Sequence, residues 1–282
     1  MSRKKQARLP VEGATHGPDK KGRFFLDLPD SGKRLFFYSG VVGERVLVRR
    51  GKRGRKGEQG DLLEVLEPSS ERREAPCRHF GVCGGCTMQQ MGEEIALEIK
   101  TRPHYEMLGD RFPEAVLVAP ASSPTDFSYR TKVELTFLAQ RNGETSLGFH
   151  RRGRFDRGVD VGRCWLTPLP PSLLESVRAW RDRYGLRGWD PRANDGDLRY
   201  LVYRHASRSD QNLVALVVNA STVFGPTAVE ELIARLKDSG VSGAYWVEQS
   251  SVGGAVVPEE TRHLFGDRVL RERLGHLEFE LG

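Results

Sequence analysis

The sequence predicts a small antiparallel β-barrel followed by an α+β domain with a mostly antiparallel sheet. Between Arg23 and Pro68, short apolar runs alternate with turn signals, a pattern typical of small barrels. After residue 70, strand and helix patterns follow one another without a regular βαβ rhythm, which favours an α+β arrangement. The length of 282 residues suffices for two domains with separate cores.

The chain divides into three predicted parts. Residues 1–22 are polar and contain Gly, Pro and Lys, so they are predicted to form a flexible basic arm. Residues 23–70 hold the barrel strands, read from "RFFLDL", "RLFFYSG", "ERVLVRR" and "DLLEVLEP". Residues 71–282 form the α+β domain. Its strongest signals are a hairpin in "YRTKVELTFLAQRNGETSLGFHRRG", which turns at Asn142 and Gly143, and a helix in "SLLESVRAWRDRYG", with Ser172 as its N-cap.

Two weaker signals lie between the barrel and the hairpin. "EEIALEIKTRPHYEML" predicts a short helical or mixed segment before Pro103, and "AVLVAP" is a candidate strand. No stretch approaches the roughly 18 apolar residues of a membrane span, and the amino terminus lacks the apolar run of a secretory signal. The sequence therefore predicts a cytoplasmic protein that does not bind a membrane.

The positive charge of the chain is concentrated near its beginning. Residues 1–74 contain 18 Lys and Arg against 11 Asp and Glu, a balance of +7, while the whole chain carries +6. A basic run between the last two barrel strands holds the candidate RNA-binding residues Arg49, Arg50, Lys52, Arg53, Arg55 and Lys56. Such a run favours a polyanion. A solvated surface loop is the alternative.

Three of the four cysteines lie close together in "CRHFGVCGGCTMQQ". Cys77, Cys83 and Cys86 follow a C-x5-C-x2-C spacing, and Cys164 is distant. A reducing cytoplasm disfavours structural disulfides, so a metal site or catalysis is expected. The glycines between the cysteines let the backbone curl around one centre. Spacing alone favours an iron-sulfur cluster and leaves a four-thiolate zinc site or a reactive cysteine open.

These cysteines also carry a resemblance to a known family. "CRHFGVCGGCTMQQ" with "VGRCWLTPLP" resembles the iron-sulfur signature of the uracil-C5 RNA methyltransferases, which make 5-methyluridine. "SGVVGERVLVR" resembles a phrase of the OB-like TRAM RNA-binding domain, and "FSYRTKVELTF" resembles the family's central domain. The resemblance implies a 4Fe-4S cluster held by the four cysteines, S-adenosylmethionine as methyl donor, and an RNA substrate, most readily 23S ribosomal RNA. The protein is predicted to be a monomer.

One departure from the family shapes the functional prediction. The family's reaction uses a cysteine nucleophile, a carboxylate base and a cofactor site in a Rossmann-like domain. All four cysteines here are assigned to the cluster, and the paired glycines of "SSVGGAVVPEE" do not follow a strand-to-helix transition. The sequence therefore predicts no catalytic or cofactor-binding residue in this chain. It predicts an inactive RNA-binding and substrate-recognition portion of such an enzyme, with the Rossmann-like catalytic domain missing. A stand-alone iron-sulfur or zinc RNA-binding protein is the alternative.

Further RNA contacts are predicted beside the cysteines. Phe80 offers a flat face for an unstacked base, and the basic candidates are Arg130, Lys132, Arg151 and Arg152. Core packing is the alternative for Phe80. Pairing with Glu134 or Asp126 on the surface is the alternative for Arg130 and Lys132.

Overall fold

The computed structural model describes residues 9–282, which separate into two units. The first unit comprises the described residues up to Gly81 together with Cys86–Pro124. The second comprises Val82–Gly85 and Thr125–Gly282. The polypeptide therefore passes from one unit to the other three times. Among the described residues, none of the helices is both long enough and apolar enough to cross a membrane.

The first unit consists of a five-stranded sheet and one helix. Its elements are β1 (Val11–Ala14), β2 (Phe24–Leu28), β3 (Lys33–Phe37), β4 (Arg45–Gly54), β5 (Gly57–Glu67) and α1 (Glu93–Arg111). Alternation along β2 buries Phe24, Leu26 and Leu28 on one face of the strand. This face packs with Val46 and Val48 of β4 in the core of the unit.

The prediction of a closed antiparallel barrel for the first unit is wrong. The strands lie in the order β1-β4-β5-β3-β2, and β3 runs parallel to β5, so the sheet is mixed. In the described part of the chain, a single isolated pair, His16 with Phe25, connects β2 to the opposite edge of the sheet, and His16 lies two residues beyond the end of β1. Because β1 has only four residues, most of β2 has no partner on that side, and the sheet stays open.

The segment predicted as a flexible arm contains a strand. Residues 11–14 form β1, which pairs antiparallel with β4 from Val11 opposite Val48 to Ala14 opposite Arg45. The remainder of that prediction, residues 1–8, lies outside the described residues. The strand is hard to recognise in the sequence because only its pairing with β4, more than thirty residues away, stabilises it.

The region between the barrel and the hairpin also differs from the prediction. Helix α1 continues through Pro103 for 19 residues instead of ending before it. The "AVLVAP" segment forms no strand, and its Val116 and Val118 are exposed. An apolar run gives a strand only where a neighbouring strand accepts its hydrogen bonds, and this run has no such neighbour among residues 9–282.

The second unit is built on a seven-stranded sheet. Its elements are β6 (Lys132–Ala139), β7 (Thr145–His150), β8 (Gly158–Asp160), α2 (Pro171–Arg183), β9 (Leu198–His205), β10 (Asn212–Asn219), α3 (Pro226–Asp238), β11 (Gly243–Gln249), β12 (Glu260–Gly266), β13 (Leu270–Leu274) and β14 (Leu277–Leu281). The sheet order is β12-β11-β10-β9-β6-β7-β8, and β13 pairs with β14 separately. Strands β10 and β11 are parallel because α3 connects them, and the other neighbouring strands of this sheet are antiparallel. The sheet predicted as mostly antiparallel is therefore a mixed sheet.

The helices α2 and α3 contribute to the main core of the second unit. Leu173, Val177 and Trp180 from α2 and Leu232 from α3 pack with buried residues of the central strands. Helix α2 begins at Pro171, which occupies the first turn where a missing N–H costs nothing, so the predicted N-cap at Ser172 is wrong. The predicted hairpin is confirmed as β6 and β7, with Gly143 in its turn at φ +85°.

Candidate nucleic-acid interface

The basic run of the first unit lies on a long hairpin rather than in a loop. Strands β4 and β5 extend almost to its tip, and only Arg55 and Lys56 connect them. Gly57 has a φ of +147°, and a Cβ atom there would lie 2.3 Å from the carbonyl oxygen of Arg34. Only glycine fits this position, where β5 begins its parallel pairing with β3. Gly57 therefore allows the hairpin tip that carries the basic residues to lie against β3.

A buried carboxylate anchors two arginines of the hairpin. The side chain of Glu58 is 3% exposed and accepts hydrogen bonds from Arg50 Nε at 3.0 Å and Nη2 at 2.9 Å, and from Arg53 Nε at 2.9 Å. Nη1 of Arg50 donates to Asp30 at 2.8 Å. The hydrogen bonds to Glu58 and Asp30 raise the pKa of Arg50 above its ordinary value. Arg50 therefore stabilises the hairpin through its ion pairs. The sequence alone does not show this difference between Arg50 and the neighbouring basic residues.

The cations at the tip surround an open cavity of about 360 Å³. Its lining residues are Lys21, Arg23, Phe36, Lys52, Arg53, Gly54, Arg55, Lys56, Gly57, Glu58 and Gln59. Within residues 9–282, Lys52, Arg55 and Lys56 form no ion pair with an acidic side chain, and all three are exposed. Arg49, by contrast, pairs with Asp61 at 2.9 Å on the surface. The cavity thus offers uncompensated positive charge.

Aromatic side chains that were not among the residues predicted from the sequence lie beside these cations. The ring of Phe25 lies 5.6 Å from that of His16 and 5.8 Å from that of Phe36. The guanidinium of Arg34 lies 4.2 Å above Phe25, and that of Arg23 lies 4.2 Å above Phe36. The signal is present in "FFLDL", because alternation places Phe25 on the face opposite the buried Phe24. Basic and aromatic groups together suit a single-stranded nucleic acid.

The four cysteines are divided between the two units. Cys77 and Cys86 belong to the first unit, where the side-chain amide of Gln89 donates to Cys86 Sγ at 3.1 Å. Cys83 and Cys164 belong to the second, where the backbone N–H of Gly85 donates to Cys83 Sγ at 3.4 Å. No three His, Cys, Asp or Glu side chains in the described part of the chain are arranged as metal ligands. The predicted cluster ligands therefore stay a prediction from the sequence.

The other predicted contacts are spread over both units. In the first unit, Phe80 is half-buried and its N–H donates to the Cys77 carbonyl at 2.9 Å. In the second unit, Arg151 forms an isolated strand pair with Cys83, and Nη2 of Arg152 donates to the Cys83 carbonyl at 3.3 Å. Hydrogen bonding thus places these two arginines beside segment 82–85.

The remaining two basic candidates lie at the start of β6. Nζ of Lys132 lies 2.6 Å from the Glu134 carboxylate, so the surface pairing left open for Lys132 is present in the structure. Arg130 is exposed, and its N–H donates to the Leu166 carbonyl at 2.8 Å.

The paired glycines considered for a cofactor lie between β11 and β12, which are antiparallel neighbours. Two side chains of β9 donate hydrogen bonds to this segment. Arg199 Nη2 donates to the Gly253 carbonyl at 2.8 Å, and the Tyr200 hydroxyl donates to the Gly254 carbonyl at 2.9 Å. The element that follows the glycines is the strand β12 and not a helix, so the N–H cradle of a nucleotide-binding turn is not formed there. These residues do not fit S-adenosylmethionine.

Comparison with known proteins identifies RNA methyltransferases as relatives. No family model matches the chain. An uncharacterized RNA methyltransferase of Caldanaerobacter subterraneus subsp. tengcongensis is 32% identical over 253 residues, which is 89% of this chain and 56% of that protein. One from Halalkalibacterium halodurans is 25% identical over 97% of this chain and 58% of its own length. The chain therefore spans little more than half the length of these curated relatives.

A solved structure shares the fold. The crystal structure of Pyrococcus abyssi tRNA (uracil-54, C5)-methyltransferase in complex with S-adenosyl-L-homocysteine matches with a TM-score of 0.69 and 20% identity. The match covers 93% of this chain and 60% of that chain. At this identity, the similarity shows the fold alone.

These matches correct the predicted absence of catalysis. The sequence predicts an inactive RNA-binding portion whose Rossmann-like catalytic domain is missing. Proteins named as RNA methyltransferases instead match 89% and 97% of the chain, and a solved methyltransferase matches 93% of it. That interpretation and the predicted inactivity are therefore set aside.

Proposed function

We propose that this protein acts in the S-adenosylmethionine-dependent methylation of RNA at C5 of uracil, and that the β4–β5 hairpin binds the RNA. The names of the relatives support an RNA methyltransferase, and the activity named for the Pyrococcus abyssi enzyme supports uracil C5 as the position. The observation that carries RNA binding is the open cavity with unpaired cations at the hairpin tip. The proposed substrate is ribosomal RNA of the 23S type, and the proposed setting is a cytoplasmic monomer with a TRAM-like first unit.

The residues of the hairpin tip contribute to the proposed function by positioning the RNA. Lys52, Arg55 and Lys56 neutralise phosphate groups along a strand of RNA. Phe25, half-buried and already covered on one side by Arg34, supports stacking with a base that has left its helix. S-adenosylmethionine, when bound, supplies the methyl group. Bound in this way, the RNA would present unpaired bases, which chemistry at C5 requires.

Loss of the three tip cations should weaken RNA binding in a salt-dependent way. For Lys52→Gln/Arg55→Gln/Lys56→Gln, we expect at least a ~10-fold loss of affinity for single-stranded RNA near 0.1 M salt. The slope of log K against log salt should also fall by about 2, because each phosphate contact on a single strand contributes about 0.7. Fluorescence anisotropy with a labelled oligonucleotide at several salt concentrations measures both quantities.

The matched control removes the same charge elsewhere in the first unit. Lys100→Gln/Arg102→Gln/Arg111→Gln changes three exposed cations on α1, and we expect the slope and the affinity to stay close to wild type. Equal losses in both triple variants would mean that net charge, and not the hairpin, governs binding. Methyl transfer is tested separately by nucleoside analysis of RNA incubated with labelled S-adenosylmethionine. A labelled nucleoside other than 5-methyluridine would contradict uracil C5.

The cluster assignment is tested by metal analysis. We propose from the spacing and the resemblance that Cys77, Cys83, Cys86 and Cys164 hold a 4Fe-4S cluster. Anaerobically purified protein should then contain about four irons and four sulfides per chain, with a broad absorption band near the violet edge of the visible spectrum that Cys164→Ser abolishes or weakens. A single zinc without sulfide would replace the cluster by a structural zinc site.

A further inference from the structure

In the second unit, three arginine side chains converge on the buried carboxylate of Asp156. Arg154 donates from Nε to Oδ1 and from Nη2 to Oδ2, both at 3.0 Å, and Arg192 donates from Nη2 to Oδ2 at 2.7 Å. Nη2 of Arg141 lies 4.0 Å from the same oxygen. The Asp156 side chain is only 3% exposed, and the hydrogen bonds from Arg154 and Arg192 hold its pKa well below the usual range. The carboxylate is thus a fixed negative centre.

The arginines of this cluster keep capacity for another anion. Three guanidinium groups face one carboxylate, so positive charge remains uncompensated within the cluster. The side chains of Arg154, Arg192 and Arg141 are 43%, 59% and 70% exposed. A guanidinium carries five N–H donors, and Arg154 uses only Nε and Nη2 here, which leaves Nη1 without a partner among residues 9–282. Donors already oriented by Asp156 lose little side-chain entropy when a phosphate binds.

Well-formed turns hold these arginines in place. Arg141 lies in the turn between β6 and β7, and Arg154 follows Gly153, whose φ is +69°. Arg192 lies in a turn in which Oδ1 of Asp190 accepts its backbone N–H at 2.8 Å. The cluster therefore combines three separate segments of the chain.

An exposed aromatic ring adjoins the cluster. Phe155 lies between Arg154 and Asp156 in sequence and is 62% exposed. The guanidinium carbon of Arg192 lies 5.7 Å from the centre of its ring. A ring of this size is usually buried in a core, whereas Phe155 belongs to none of the hydrophobic clusters found among residues 9–282. A flat apolar face next to phosphate-binding cations matches the two chemical parts of a nucleotide.

We propose that Arg141, Arg154, Arg192 and Phe155 form a second site for single-stranded RNA, in which the arginines bind phosphate and Phe155 stacks on an unpaired base. This inference rests on the proposed function, because it takes RNA as the ligand of the site. A duplex keeps its bases stacked internally and leaves Phe155 unused, and free phosphate has no base, so a single strand is the ligand that uses both features.

Two variants with different signatures test the site in the full chain. Phe155→Ala should lower the affinity for a labelled single-stranded RNA of about 12 nucleotides by about 5- to 150-fold, because one stacked base is worth about 1–3 kcal/mol, and it should leave the salt slope unchanged. Arg154→Gln/Arg192→Gln should lower the affinity about 10-fold and reduce the salt slope by about 1.4. The matched control is Arg183→Gln/Arg235→Gln, since both of these arginines pair with the single carboxylate of Glu231. It should stay within about twofold of wild type.

The outcomes separate this site from the proposed function. If the wild type binds RNA and neither Phe155→Ala nor the arginine variant weakens that binding, the second site is overturned. The hairpin then remains the RNA-binding element. An RNA affinity that millimolar inorganic phosphate abolishes, with no effect of Phe155→Ala, would also overturn it in favour of a simple anion site. A wild type that binds no RNA would overturn the proposed function itself. Because Phe155 is exposed, its replacement tests the site without removing a buried contact.

Discussion

Glu44→Ala is expected to lower the free energy of unfolding of the first unit by about 3–5 kcal/mol. The Glu44 side chain is fully buried, accepts the backbone N–H of Val41 at 2.8 Å, and binds both Nε and Nη2 of Arg72. Truncation leaves the Arg72 guanidinium in a partly buried position without its carboxylate, and a buried charge without a partner is costly.

Hydrogen exchange in β1–β5 measures this loss without interference from the second unit. All four tryptophans lie in Thr125–Gly282, so their fluorescence reports the second unit and should be unchanged. The matched control is Glu67→Ala, which removes an exposed pair with Arg45 and should cost at most about 1 kcal/mol. If Glu44→Ala costs no more than Glu67→Ala, the buried pair does not hold this unit together.

Trp180→Ala is expected to lower the free energy of unfolding of the second unit by about 3–5 kcal/mol. The ring is fully buried, lies 6.3 Å from the ring of Tyr184 and 6.4 Å from that of Phe224, and its Nε1–H donates to the Ala228 carbonyl at 2.7 Å. Removing it opens a cavity between α2 and α3 and leaves the Ala228 carbonyl without this donor.

The graded variant Trp180→Phe separates the two causes. It keeps most of the apolar volume and loses the hydrogen bond, so about 1–3 kcal/mol is expected. Denaturant unfolding followed by the fluorescence of the other tryptophans gives both values. Equal losses for the two variants would show that the hydrogen bond to Ala228, and not the packing of the ring, dominates.

The elements that the sequence predicts correctly are those whose signals are local. Strands β2–β5 follow from apolar runs between turns, and the β6–β7 hairpin follows from its Asn-Gly turn. Strand β1 escapes prediction because its stability comes from pairing with β4, and barrel closure is wrongly predicted because sequence periodicity does not show which edges meet.

In the candidate sites too, local sequence signals are predictive and long-range contacts are not. The basic run identifies the hairpin, yet only the structure separates Arg50, held by the buried Glu58, from the unpaired Lys52 and Lys56. The partners Asp156 and Arg192 are 36 residues apart, and neither residue is distinctive in the sequence. Long-range ion pairs of this kind leave no periodic pattern to read.

The three passages of the chain between the units bear on how the protein can be divided. Residues 82–85 belong to the second unit, where the Gly84 N–H donates to the His150 carbonyl at 3.0 Å, although the residues before and after them belong to the first. A fragment that ends at residue 124 would carry this short segment away from its strand partner and expose its hydrogen-bonding groups. One proteolytic cut therefore cannot release either unit intact. If the chain is cut at any position between residues 86 and 124, the two resulting fragments should be less soluble than the whole chain.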